Sequence, residues 1–146
     1  MALRAVLAVL LALALLAVAA PAVEDARTDR TATALDTAGD RVVATADRLV
    51  ATSDPAARGT AARRHLRLTV PTRGPGARAG ALRLRDGRVE WRVDGGDWHT
   101  RPVSRLVVPD GPLVVRGAAR LTFEHRRRAG RSVVVVVRPA PGASEG

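Results

Sequence analysis

The chain has 146 residues, of which 24 are Arg and 14 acidic, with a formal net charge of +10 and no cysteine. Those numbers fit one domain plus an N-terminal segment. They exclude disulfide staples, thiol nucleophiles, Cys-ligated zinc and a cysteine-linked lipid anchor. Lys, Ile, Asn, Gln and Tyr are all missing, the usage of a GC-rich genome, so an individual Arg is not in itself evidence of guanidinium chemistry. The charge is unevenly placed: residues 22–59 carry a net −2 and residues 60–146 a net +11. A basic head on a mildly acidic stem points to acidic partners.

The first element is apolar from Ala5 to Ala20, and as a helix it would cover about 24 Å of a hydrocarbon core about 30 Å thick. Extending it to Val23 approaches the usual spanning length, so membrane lipid is the expected partner of residues 5–23. Only Arg4 and the amino terminus precede the run, which favours an N-inside orientation with the rest of the chain translocated. Two readings stand. In one, residues 1–23 are a permanent signal-anchor. In the other they are a cleaved signal peptide, with small residues at Ala17-Val18-Ala19 and Ala20-Pro21-Ala22 as cleavage sites.

The second element, residues 24–54, reads as an amphipathic helical stem. Leu35, Ala38, Val42, Ala46 and Leu49 recur at helical spacing, with charged residues between them. Glu24 and Asp25 suit a first helical turn after Pro21, and Ser53-Asp54-Pro55 is a stop signal. Gly39 weakens the middle by about 1 kcal/mol relative to Ala. The stem either continues the apolar segment or is kinked at Pro21.

Residues 55–63 read as a linker, residues 64–138 as an antiparallel β domain and residues 139–146 as a disordered tail. In the β domain, Leu66, Leu68 and Val70 alternate on one face. "ALRLRDGRVEWRV" is a hairpin around Asp86-Gly87. Its register sets Leu84 opposite Val89, Leu82 opposite Trp91, and Arg83 opposite Glu90 on the outer face. "VDGGDW" is a further turn, leading into a strand around Trp98 to Arg101. "RLVV" and "PLVVR" flank the turn Pro109-Asp110-Gly111-Pro112. Leu121, Phe123 and His125 share a face of the next strand, and "SVVVVVR" reads as a strand covered on both faces. The fold class is therefore α+β: a long N-terminal helix followed by a small antiparallel sheet domain.

No constellation supports an enzyme. His65, His99 and His125 have no neighbour at metal-ligand spacing and are expected to be partly exposed sheet residues. The serines lie in no nucleophile elbow, turn formation accounts for most acids of the head, and no loop is built to cradle phosphate. No metal or cofactor is expected. The strongest electrostatic feature is "HRRRAGR", which places Arg126, Arg127, Arg128 and Arg131 at one hairpin tip as the candidate contact with an acidic partner. Nucleic acid is disfavoured as that partner, because stacking aromatics are scarce and no binding-fold signature appears.

An apolar helix, an amphipathic stem and a small sheet resemble the general plan of type IV pilins and pseudopilins, although no acidic residue occupies the pilin position at Val9. The stretches "LLAVAAPAVEDARTDRTA", "VEWRVDGGDWHTRPV", "PDGPLVVRG" and "RLTFEHRRRAGRSVVVVVRP" resemble a small haloarchaeal family of unknown function. Its genes accompany those of type IV pilus or secretion-type ATPases. That resemblance implies a membrane-anchored, non-enzymatic structural protein with its head outside the cytoplasm, and pilus, secretion or surface-layer proteins as partners. The alternative is a secreted basic β domain that binds an acidic polymer or surface.

Overall fold

The apolar run and the stripe after it form one uninterrupted helix in the computed structural model, which describes residues 2–56 and 60–137. This helix, α1, spans Ala2–Thr52 and passes through Pro21. A proline there forfeits the hydrogen bond to the carbonyl four residues earlier, yet helical geometry continues on both sides. Every side chain from Leu3 to Val23 is exposed, Leu3 to 79%. The helix is long and apolar enough to cross a membrane, with a mean hydropathy of 2.8 over its most apolar window.

The C-terminal half of α1 is built differently. Leu35, Ala38, Val42, Ala46 and Leu49, the five residues of the predicted stripe, are all buried. Fully burying a Leu or Val contributes about 1.5–3 kcal/mol, so this face binds the helix firmly to the head. The stripe begins one step earlier than the apolar pattern indicates, at Thr31, which is wholly buried. Its hydroxyl accepts a hydrogen bond from the Arg78 amide at 2.9 Å, so the buried polar group is satisfied.

Eight strands follow among the described residues: β1 (Arg63–Val70), β2 (Gly80–Arg85), β3 (Arg88–Val93), β4 (His99–Pro102), β5 (Leu106–Val107), β6 (Leu113–Val115), β7 (Gly117–Arg128) and β8 (Arg131–Val137). They form two four-stranded sheets, ordered β1-β7-β8-β5 and β4-β3-β2-β6, and α1 packs on both. The α+β architecture expected from the sequence is thus the observed one. One core joins the helix stripe to Leu66, Leu68, Leu82, Leu84, Trp91, Phe123 and Val134, among others.

The β2–β3 hairpin has the predicted register, with Leu84 opposite Val89, Leu82 opposite Trp91 and Arg83 opposite Glu90. Leu121, Phe123 and His125 share the inner face of β7, and the valine run of β8 is buried through Val134–Val136. Two details depart from an all-antiparallel meander. The segments flanking Pro109–Pro112 do not pair with each other: β5 runs parallel to β8, while β6 joins β2 in the other sheet. The turn is therefore a crossing between sheets. It is pinned by Asp86, whose Oδ1 accepts the Val108 amide at 2.7 Å. A central valine strand needs partners on both edges, and β5 fills the edge that β7 leaves open.

The described part of the predicted linker is not loose. Ala56 bridges to Arg126, donating to the His125 carbonyl and accepting from the Arg127 amide. The predicted tail, residues 139–146, lies outside the described residues.

Candidate functional site

The arginine cluster lies where β7 turns into β8. Ala129 and Gly130 form the two-residue turn, with φ of 47° and 74°, the left-handed pair that matches the twist of a tight hairpin. Arg128 stands opposite Arg131 and Arg127 opposite Ser132. Of the four candidate contacts, Arg127, Arg128 and Arg131 are exposed.

Arg126 is different. It shares the outer face of β7 with Glu124, and its Nε donates to Glu124 Oε2 at 2.5 Å. On the adjacent strand, Arg63 Nε donates to Glu124 Oε1 at 2.7 Å. Glu124 is 2% exposed, so its carboxylate is covered by the two guanidiniums it holds. Arg126 serves this internal ion pair, and the surface available to a partner shifts towards the hairpin tip.

A second hairpin completes the tip. Arg85 and Arg88 flank the Asp86-Gly87 turn and face each other across β2 and β3. Together with Asp86, Pro109, Asp110 and Arg128 they line an open cleft of about 550 Å³. Arg88 Nε also reaches Glu90 Oε1 at 3.0 Å. A smaller hollow of about 330 Å³, lined by Pro109, Arg126, Arg127, Arg128 and Val135, shares Pro109 and Arg128 with it. Arg85 and Arg88 were not among the candidates read from the sequence. A signal was available: "RDGR" at 85–88 and "RAGR" at 128–131 place Arg on both sides of a two-residue turn.

His125, expected to be partly exposed, is 2% exposed. Its inner-face position on β7 puts it under the end of α1, where Nδ1 lies 3.0 Å from Ser53 Oγ and Nε2 lies 2.6 Å from Ser132 Oγ. Ser53 spends its proton on the Leu49 carbonyl at 2.5 Å, so its oxygen must accept from the ring. That assigns the proton to Nδ1 and makes Nε2 the acceptor from Ser132. The arrangement fastens helix end to sheet and leaves the ring no access to a substrate. His65 and His99 are exposed. Among the described residues no group of three or more His, Asp or Glu converges as a metal site would require.

The other end of the head carries a network of ion pairs. Arg78 holds Glu24 of α1 and, at 3.0 Å, Asp94, which also accepts from Arg73 at 2.8 Å.

One family profile, described as a domain of unknown function (DUF7311), matches residues 2–139. The chain belongs to the DUF7311 family. The match takes in the apolar half of α1 as well as both sheets, so the family unit is the helix and head together. No curated protein and no solved structure matches the chain.

Proposed function

We propose that this DUF7311 protein is a non-enzymatic, membrane-anchored structural protein. In this reading residues 5–23 lie in the bilayer and the stem and β head stand outside the cytoplasm. The basic end of the head docks to components of a type IV pilus- or secretion-type apparatus. One observation carries the anchor: a single helix is wholly bare through its apolar half and locked into the head through the other. Bare leucines and valines over 21 consecutive residues, Leu3–Val23, are costly in water and favourable in hydrocarbon. The pilus or secretion setting rests on the resemblance of the four sequence stretches, and the outward head on Arg4 preceding the apolar run.

The test is the intact mass of the mature protein together with its behaviour in alkaline membrane washes. An uncut chain that stays in the membrane pellet supports the anchor. Loss of residues 1–19 or 1–22, with release into the soluble fraction, replaces it with a secreted basic domain. Digestion of the head by protease added to right-side-out vesicles is expected, and full protection would place it in the cytoplasm.

A further inference from the structure

We propose that the cleft lined by Arg85, Arg88 and Arg128 is a docking site for an acidic protein segment. It is carried on the end of the head that points away from the bilayer. Both hairpins that build it end in the same way, with an Arg on each side of a two-residue turn, so that Arg85 faces Arg88 and Arg128 faces Arg131. Like charges directly opposite one another destabilise a sheet. At two other cross-strand positions the head sets opposite charges face to face, Arg83 with Glu90 and Arg63 with Glu124. A third like pair, Arg67 opposite Arg120, lies mid-strand on β1 and β7 and lines neither hollow of the tip. Arg85, Arg127, Arg128 and Arg131 make no ion pair with a described carboxylate, so the tip holds guanidinium forks in reserve.

The position of the cleft follows from the chain path. Ala56, four residues past the end of α1, bridges to Arg126, and the tip lies beyond it. From Val23 to the end of α1 the helix rises about 40 Å, several times the Debye length of about 10 Å. The anchoring bilayer is therefore too distant to be the cleft's partner. This placement rests on the anchored reading, whereas the chemistry of the cleft does not.

The lining selects among anions. Arg forks bind carboxylates through paired hydrogen bonds. Asp86 and Asp110 sit among the guanidiniums, and carboxylates there interrupt a phosphate track. Neither hollow is lined by an aromatic on which a base could stack. Trp91 is buried against Gly39, and Trp98 lies beneath Arg83 and Arg92.

The experiment uses the full chain in neutral detergent micelles and a fluorescent oligoglutamate peptide, with anisotropy read at low ionic strength. Arg85→Ser/Arg128→Ser is expected to weaken binding about tenfold or more. Arg67→Ser/Arg120→Ser, which removes the same charge from the third like pair, is expected to weaken it less than about twofold. The first variant relieves two like pairs and the second relieves one, so both should melt no lower than the parent, which separates lost binding from lost folding. Equal weakening by the two variants, or no binding at all, overturns the proposal. So does tighter cleft-dependent binding of a single-stranded oligonucleotide of equal charge or of anionic vesicles. The assay needs no membrane. A chain that washes off membranes but binds the peptide through the cleft overturns the anchor alone, and one that stays but does not bind overturns the cleft alone.

Discussion

Gly39 of the helix lies directly against the indole of Trp91: a Cβ built on it would stand 3.2 Å from Cζ3 and 3.4 Å from Cε3. Read as sequence, Gly39 is a weak point in a helix. Read in the fold, it is the notch that lets α1 settle on β3. Gly39→Ala should gain about 1 kcal/mol of helix propensity and lose a similar amount to crowding, for a net change within about 1 kcal/mol. Gly39→Leu has no such offset and is expected to cost about 2–3 kcal/mol by overpacking. Urea melts of the three proteins check this. A Leu variant as stable as the parent would mean that the helix does not seat on Trp91.

The Glu124 ion pairs separate structural from surface arginines. Glu124→Gln should destabilise by about 2–3 kcal/mol, less than the 3–5 kcal/mol typical of a fully buried pair, because Arg63 is more than half exposed. Arg126→Ser should cost about 1–2 kcal/mol, since Arg63 remains to hold the carboxylate. Arg127→Ser and Arg131→Ser should stay within about 0.5 kcal/mol. If Arg126→Ser were as neutral as the other two, Arg126 would return to the docking surface.

His125 gives a spectroscopic prediction. The hydrogen bond from Ser53 to the Leu49 carbonyl requires the ring proton on Nδ1, and long-range proton–nitrogen NMR correlations should find the Nδ1–H tautomer. Finding Nε2–H instead would break the chain from Leu49 through Ser53 to the ring. His125→Leu should cost about 2–3 kcal/mol, because it leaves the Ser132 hydroxyl without its ring partner. Adding Ser132→Ala should then cost less than it does alone.

These three sites mark what the sequence could and could not reveal. Helical spacing named all five stripe residues, and the hairpin register was legible because Asp86-Gly87 fixes which residues face each other. Alternation assigns a residue to a face, but it does not say what covers that face. Glu124 has outer-face parity and is buried because two guanidiniums cover it, one from Arg126 on its own strand and one from Arg63, 61 positions earlier, on the next. His125 has inner-face parity, but its burial depends on where the end of α1 comes to rest. The parallel pairing of β5 with β8 has two residues and no periodicity to betray it. The distal cleft joins two hairpins about 40 residues apart, and only the repeated Arg-x-Gly-Arg turns connect them in the sequence.

The division of α1 into a bare half and a locked half predicts where the chain can be shortened. The first helix residue in the core is Thr31, and the first head contact is the pairing of Glu24 with Arg78. A chain beginning at Glu24 keeps both. It also starts its helix with Glu24 and Asp25, whose negative charge suits the exposed amides of a new N-terminus. It should fold cooperatively, lose about 0.5 kcal/mol or less, and remain in solution without detergent. A chain beginning at Asp36 loses the buried Leu35 side chain and the Thr31–Arg78 hydrogen bonds, and should be destabilised by about 3–4 kcal/mol. Circular dichroism melts of the two fragments give the comparison. If the longer fragment failed to melt cooperatively, the apolar half of the helix would be part of the head's own fold rather than a separate surface left for lipid.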